Sequence, residues 1–147
     1  MKKQVLFLAA LVFMMLHTVS TSADDRVITF DQLPKAARQF VQTHFPGKHI
    51  SYATVDADFL SKTYEVHLNN GAEIEFDKNG NWDKVDCHHA AVPAAIIPAS
   101  IANYVKANFP DSQIVKIDKE RGGYDIELSN DLDLKFNAKG KFLGIDD

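Results

Sequence analysis

The chain carries the same pattern of residues twice, about 60 positions apart, and this repetition constrains its fold more than any other feature. Residues 33–46 read LPKAARQFVQTHFP, and residues 97–110 read IPASIANYVKANFP. Further on, residues 64–86 read YEVHLNNGAEIEFDKNGNWDKVD, and residues 124–146 read YDIELSNDLDLKFNAKGKFLGID. Because the repeated stretch holds both helical and strand patterns, the sequence predicts one supersecondary unit that is used twice.

An amphipathic helix opens each unit. In the first unit the apolar side chains fall on one stripe at helical spacing, and they are Leu33, Ala36, Ala37, Phe40, Val41 and Phe45. The second unit has the same stripe, and a proline ends each helix. We therefore predict helices at about 34–45 and 98–108, with Phe45 and Phe109 in the core. We also expect Asp31 to cap the first helix.

After each helix the apolar residues alternate with polar ones, which is typical of strands with one buried face. The connection Asn69-Asn70-Gly71 closes a hairpin in which Tyr64 pairs with Phe76, and this register places the large apolar residues on one face. The second unit follows the same rule, with Tyr124 opposite Phe136. Flanking strands are predicted at 49–57, 81–87, 113–119 and 141–145. The predicted fold class is α+β, a tandem repeat of a helix plus a four-stranded antiparallel meander, with the helices on one face of the sheet or sheets.

Residues 1–23 have the pattern of an export signal, with a basic start, an apolar stretch and small residues that end at Ala23. We expect cleavage after Ala23, a periplasmic or secreted protein, and no membrane anchor after cleavage. The mature chain is then divided into a first repeat at 24–88 and a second repeat at 89–147. Because each repeat alone is small, we expect the two to form one compact unit.

The acidic charge balance narrows the classes of partner. The formal net charge is −4, and removal of Lys2 and Lys3 with the signal makes it −6 (−4 − 2). Together with the lack of a basic cluster in the sequence, this charge argues against nucleic acid and against anionic membrane surfaces. The chain has 1 cysteine, which cannot form an intramolecular disulfide, so the apolar core must hold the fold.

The doubled helix–meander pattern resembles the PepSY-like family of small exported bacterial proteins, which share a β-lactamase-inhibitor-like fold. The resemblance rests on the Leu-Pro and Ile-Pro helix starts, the Phe-Pro helix ends, Asn79-Gly80-Asn81-Trp82, Val85-Asp86-Cys87 and Val92-Pro93. It covers essentially the whole mature chain, and it implies fold and export rather than an activity. Related PepSY domains occur in propeptides of metallopeptidases, where an inhibitory role is proposed, but we find no inhibitor motif here to carry over.

The polar face of the two hairpins is the first candidate binding surface. It carries Glu65, His67, Glu73, Glu75, Asp125, Glu127 and Asp133, with Lys135 as its single predicted lysine. The register places Glu65 opposite Glu75, and like charges directly opposite each other are destabilising. Two explanations remain open: a surface that binds a basic protein segment or a cation, and a solvated face that keeps an antiparallel sheet soluble.

The run Asp86-Cys87-His88-His89 is the second candidate, because cysteine and histidine are ligands for zinc and copper. All histidines after the predicted signal lie in the first repeat, at positions 44, 49, 67, 88 and 89. Adjacent residues of a strand point to opposite faces, so Cys87 and His88 should not converge. We therefore predict no metal site and no cofactor. If a metal site were present, Cys87, His88 and His89 would be its candidate ligands. The alternative is a half-buried cysteine followed by a solvated linker.

Two further aromatic residues are candidate contacts. Trp82 follows a glycine turn, where partial exposure is expected, and tryptophan is a common interface anchor. Tyr52 has no apolar counterpart in the second repeat, because Lys116 takes its place. We add both aromatic residues to the candidate binding surface.

Three classes of function remain. The first is an exported non-enzymatic module that binds a protein or peptide partner through the open acidic sheet face. A basic partner suits the charge of that face best. The second is a metal-binding or small-ligand-binding protein that uses the histidines of the first repeat. An enzyme ranks last, because the sequence has no nucleophile elbow, no helical His-x-x-x-His pair and no phosphate loop.

Overall fold

Nine strands form one antiparallel sheet, in which strands that follow each other in the chain also lie side by side. The computed structural model describes residues 25–146, so the predicted signal and its cleavage site after Ala23 lie outside the described residues. The strands are β1 (Arg26–Ile28), β2 (Ile50–Ala57), β3 (Lys62–Leu68), β4 (Glu73–Phe76), β5 (Trp82–Asp86), β6 (Ile114–Glu120), β7 (Gly123–Leu128), β8 (Asp133–Asn137) and β9 (Phe142–Asp146). The helices are α1 (Lys35–His44), between β1 and β2, and α2 (Ala99–Asn108), between β5 and β6. We call β1–β5 with α1 the N-terminal half, and α2 with β6–β9 the C-terminal half.

The hairpin registers are those that the alternation of apolar residues predicts. Tyr64 pairs with Phe76, and Tyr124 pairs with Phe136. Gly71 closes the first hairpin with a φ of 89°, and Asp131 takes the same left-handed conformation in the second hairpin with a φ of 63°. One face of each hairpin is therefore apolar and the other is polar.

The two α-helices begin directly after a proline. Pro34 and Pro98 are the N-cap residues, and neither provides a side-chain hydrogen bond. The expectation that Asp31 caps α1 is wrong, because Asp31 lies in a separate 3₁₀ turn at 30–32 that precedes the helix. Its carboxylate instead lies 3.7 Å from the guanidinium of Arg38.

The sheet is continuous across the two halves, and it contains a strand that the sequence did not predict. β5 pairs with β6, where Val85 lies opposite Ile117 and both side chains are fully buried. β1 pairs with β2 and places Ile28 opposite Ala53. The prediction of four strands per repeat is therefore corrected to nine strands in one sheet. β1 escaped notice because three residues are too few to show a period of two.

The helices pack on the apolar face through aromatic contacts. Phe40 of α1 meets Phe76 edge-on with ring centroids 5.5 Å apart, and Tyr104 of α2 meets Phe136 at 5.5 Å in the same way. Both halves contribute to one hydrophobic core. Phe45 is buried as predicted, whereas Phe109 is only partly buried at the end of α2, so its placement in the core is corrected.

The polar face of the sheet remains open. Since both helices pack on the apolar face, no helix of residues 25–146 covers the polar face. The polar side chains of β2–β8 therefore form a broad surface that solvent or a partner can reach. Among the described residues, no helix is long and apolar enough to cross a membrane.

Candidate functional site

Paired strands bring carboxylates and a histidine together on the polar face of the N-terminal half. Glu65 of β3 lies opposite Glu75 of β4, and His67 lies opposite Glu73. On the other side of β3, Tyr52 of β2 is the partner of His67. This part of the polar face thus has the register that the sequence predicts.

His67 is held between two carboxylates and an aromatic ring. Its Nε2 lies 2.9 Å from Oε1 of Glu65, and its Nδ1 lies 3.4 Å from Oε1 of Glu73. The ring of Tyr52 stacks on the imidazole, with centroids 4.1 Å apart and an interplanar angle of 19°. Only 18% of the His67 side chain is exposed. The imidazole therefore has contacts on both nitrogens and on one face.

His88 reaches the same carboxylate from the end of β5. Asp86 is the cross-strand neighbour of Glu73, and the backbone N–H of His88 donates a hydrogen bond to Oδ1 of Asp86 over 2.8 Å. Nε2 of His88 lies 3.7 Å from Oε1 of Glu73, while its Nδ1 lies 3.3 Å from Oδ1 of Asp86. We call Tyr52, Glu65, His67, Glu73, Asp86 and His88 the His67 cluster.

Cys87 points away from this cluster. Its side chain is buried in the hydrophobic core, and burial raises the pKa of its thiol to about 11. His89 is exposed and lies outside the cluster contacts described above. The structure thus separates Cys87 from His88, as strand alternation predicts, and joins His88 to residues of β3 and β4 instead.

Glu75 extends the negative surface toward β2. Partial burial raises the pKa of its carboxyl, Lys84 lowers it, and the negative charges of Glu65 and Asp118 raise it again. Beside it, a shallow cavity is lined by Asp25, Thr54, Asp56, Thr63, Glu65 and Glu75. Within residues 25–146, Oδ1 of Asp56 is shielded from solvent and has no hydrogen-bond partner.

Lysines neutralise part of the acidic charge on the polar face of the C-terminal half. Nζ of Lys135 lies 2.9 Å from Asp146 and 3.9 Å from Asp125, and the hydrogen bond that Lys135 donates to Asp146 raises the pKa of Lys135. Nζ of Lys116 lies 3.8 Å from Glu127. Asp133 lies opposite Glu127 and Asp146 on neighbouring strands.

The expectation that Lys135 is the single lysine of the polar face is wrong. Lys84 of β5 lies opposite Glu75 of β4, and Lys116 of β6 lies opposite Asp86. Lys84 and Asp86 share this face because β5 pairs with β4, and Lys116 and Asp118 share it because β6 pairs with β7. The alternation around the buried residues Val85 and Ile117 could have predicted this placement from the sequence.

Trp82 lies on the opposite side of the sheet from the His67 cluster. It is half-buried, and its ring centroid is 6.2 Å from that of Phe40 in α1. Nζ of Lys119 lies 3.7 Å from the centre of the indole and donates a hydrogen bond to the carbonyl of Trp82 over 2.7 Å. Of the two aromatic candidates, only Tyr52 shares a surface with the carboxylates.

Comparisons with known proteins place this fold among bacterial periplasmic proteins. A family model described as "Putative beta-lactamase-inhibitor-like, PepSY-like" matches residues 62–144. A crystal structure from Bacteroides thetaiotaomicron, described as a "putative calcium-regulated periplasmic protein", is 45% identical, with a TM-score of 0.81 over 84% of this chain and 98% of that one. A structure from Bacteroides vulgatus, described as a "putative periplasmic protein from DUF2874 family", is 39% identical, with a TM-score of 0.80 over 84% of this chain and 98% of that one. The comparison with curated proteins gives no match.

Proposed function

The chain belongs to the PepSY-like family, and from this premise we propose that it is an exported, non-enzymatic module that binds a basic segment of a protein or peptide. The proposed contact surface is the polar face of the N-terminal half, formed by Glu65, His67, Glu73, Glu75 and Tyr52. The observation that carries the proposal is the concentration of carboxylates there on an open sheet face. A surface of this sign attracts cationic partners and steers their approach.

The electrostatics of Glu75 support this proposal. Its raised pKa means that the ionised carboxylate is less favourable in the folded chain than in water. Like charges across β3 and β4 also cost stability, so this arrangement of Glu65 and Glu75 does not serve the fold. Lys84 already offsets part of these costs, and a lysine or arginine side chain of a partner would offset more of them.

The contrast between the halves supports the choice of surface. In the C-terminal half Lys135 takes the sequence position of Glu75 and pairs with Asp125 and Asp146. We propose that the halves are two copies of one helix–meander unit, and that the copies have diverged into a face whose carboxylates partly pair with lysines and a binding face. Tyr52, which stacks on His67 and is itself exposed, adds an apolar contact at the edge of the binding face.

Export is part of the proposal, and so is the lack of catalysis. The basic and apolar pattern of residues 1–23 and the periplasmic descriptions of the similar structures support export. The non-enzymatic part rests on the sequence, which carries no recognisable nucleophile or phosphate-binding motif.

A charge-removal experiment tests the proposed surface. A fluorescent peptide that alternates lysine and glycine serves as the probe, and its affinity is measured by anisotropy at low and high salt. The variant combines Glu65→Gln, Glu73→Gln and Glu75→Gln, and the matched control combines Asp125→Asn, Glu127→Gln and Asp133→Asn. We expect the first variant to weaken binding about tenfold or more, equivalent to about 1.4 kcal/mol, and the control to change it much less.

The same variants are then used in pull-downs from periplasmic extract. A partner that is retained by the wild type and the control, released by added salt and lost with the first variant supports the proposed surface. Equal loss with both variants, or binding that ignores salt, contradicts it. Circular dichroism and thermal unfolding of each variant exclude a loss caused by misfolding.

A further inference from the structure

The His67 cluster brings two imidazoles and several carboxylates, all of them donors that metals use, around Glu73. We propose that Glu73, His67 and His88 bind a divalent transition metal, with Zn²⁺ as the probe, and that Glu65 and Asp86 orient the two imidazoles. This inference goes beyond the peptide-binding surface, since it assigns a second ligand of different chemistry to one part of that face.

The carboxylate of Glu73 lies close to a nitrogen of each histidine. Its Oε1 lies 3.4 Å from Nδ1 of His67 and 3.7 Å from Nε2 of His88. In a tetrahedral zinc site with bonds of about 2.0–2.1 Å, neighbouring ligand atoms are about 3.3 Å apart. The side chain of His88 is 45% exposed, so a rotation about its side-chain bonds can bring its nitrogen to the metal.

In both histidines, the imidazole nitrogen that does not face Glu73 lies near another carboxylate. Nε2 of His67 faces Oε1 of Glu65 at 2.9 Å, and Nδ1 of His88 faces Oδ1 of Asp86 at 3.3 Å. A histidine that binds a metal almost always donates its other N–H to a carboxylate, a carbonyl or a water, which sets the tautomer and the ring orientation. Both histidines of the cluster have such a carboxylate in place.

Donor density adds a further argument. The ligand atoms that Glu65, His67 and Glu73 can offer all lie within 4.8 Å of one another, so the ligands and the orienting carboxylate form one compact group. The stacked ring of Tyr52 limits the rotation of the His67 imidazole and therefore keeps the donors together. A site whose ligands are held in position loses less conformational entropy when the metal binds.

The chemistry of the donors selects the class of metal. Imidazole nitrogen is a good ligand for zinc, copper, nickel and iron, whereas calcium takes six to eight oxygen ligands in proteins. Two imidazoles and one carboxylate, with a water in the fourth position, form a set that zinc accepts. Calcium is therefore the contrasting ion in the test.

Isothermal titration with ZnCl₂ tests the site on the full mature chain, with CaCl₂ in parallel. We expect one saturable zinc per chain and a much weaker response to calcium. The variants His67→Gln and Glu73→Gln should each lower zinc affinity at least about tenfold, and Glu65→Gln should lower it about 10–100-fold as an orienting residue. The matched control, Glu127→Gln with Asp133→Asn in the C-terminal half, should bind zinc as the wild type does.

Nitrogen NMR of the histidine side chains reports zinc binding at each imidazole, and a change in the stability of the protein does not produce the same signal. Zinc should shift the resonances of His67 and His88 and leave those of His44 and His49 unchanged. Unchanged zinc binding in the double variant His67→Gln, His88→Gln overturns the proposal, as does tighter binding of calcium than of zinc. Zinc and the lysine–glycine peptide are titrated separately into the wild type, so loss of one binding event with retention of the other separates failure of the metal site from failure of the peptide surface.

Discussion

At the scale of single residues, Gly80 lies where the turn between β4 and β5 meets the start of α1. Its φ of 84° is left-handed, and a β-carbon built on it would lie 2.7 Å from the Pro34 side chain and 2.8 Å from the Ala37 backbone nitrogen. Gly47 shares the left-handed conformation, with a φ of 73°, but has nothing within 4 Å. The two glycines thus differ in space and not in backbone conformation.

We expect Gly80→Ala to destabilise the protein more than Gly47→Ala. Gly47→Ala should lower the free energy of unfolding by about 1–2 kcal/mol through backbone strain alone. Gly80→Ala adds a steric overlap with α1, so its loss should clearly exceed that of the control. Urea unfolding measures both values, and equal losses would show that α1 does not press on the β4–β5 turn.

The buried thiol of Cys87 should make the stability of the folded chain depend on pH. Burial raises the pKa of its thiol from 9.0 to about 11, so the folded chain holds this proton more tightly than the unfolded chain. Its contribution to stability is therefore present below pH 9 and is lost as the pH rises through 11. We expect urea unfolding to show a steeper loss of stability across this range in the wild type than in Cys87→Ala. A parallel loss in both proteins would mean that the thiol is not shielded from water.

The same burial protects the thiol from modification. Because only the thiolate reacts readily, Cys87 should react slowly with a disulfide reagent at neutral pH and rapidly once urea unfolds the chain.

At the scale of elements, the two helices share a sequence pattern but differ in coverage. Phe45 is 7% exposed, whereas Phe109 is only partly buried and has Tyr104 as a neighbour at 6.5 Å between ring centroids. Phe45→Ala should lower the free energy of unfolding by about 3–5 kcal/mol, and Phe109→Ala should lower it by less. Thermal or urea unfolding ranks the two variants, and the reverse order would contradict the packing described for the ends of α1 and α2.

Local periodicity in the sequence predicts the individual helices and hairpins, but not the pairing of distant strands. The sequence predicts the helix stripes and the hairpin registers correctly. Apolar residues that recur about every 3.6 positions line one face of a helix, and those that recur at every second position line one face of a strand. The pairing of β5 with β6 depends on contacts between distant segments, which local periodicity does not report. The hairpin register predicts the positions of Glu65, His67 and Glu73, and the alternation around Val85 and Ile117 could have predicted those of Lys84 and Lys116 as well.

At the scale of the whole molecule, the joined sheet predicts cooperative unfolding. Val85 and Ile117 are both fully buried where β5 meets β6, and the core includes residues of both halves. The chain has 1 tryptophan, Trp82, which lies in the N-terminal half under Lys119 of the C-terminal half. Tryptophan fluorescence and far-UV circular dichroism should therefore report one coincident urea transition. Two separated transitions would show that the halves unfold independently.

The location of the histidines was visible in the sequence, but their grouping was not. All five positions from 44 to 89 precede the C-terminal half, so an asymmetry between the halves could be predicted. The approach of His88 to Glu73 depends on the φ of 53° at His88, which turns the chain back toward β4. Sequence spacing gives no sign of that turn, so strand alternation predicts that Cys87 and His88 stay apart but does not place His88 beside Glu73.

The central claim is that partners meet the polar face of the N-terminal half, and amide NMR during titration with the lysine–glycine peptide tests it most directly. We predict that chemical shift changes concentrate in β3, β4 and β5, around Glu65, Glu73 and Glu75, and that they shrink when salt is added. Changes confined to α1 and α2, or changes of equal size on the polar face of the C-terminal half, would contradict it.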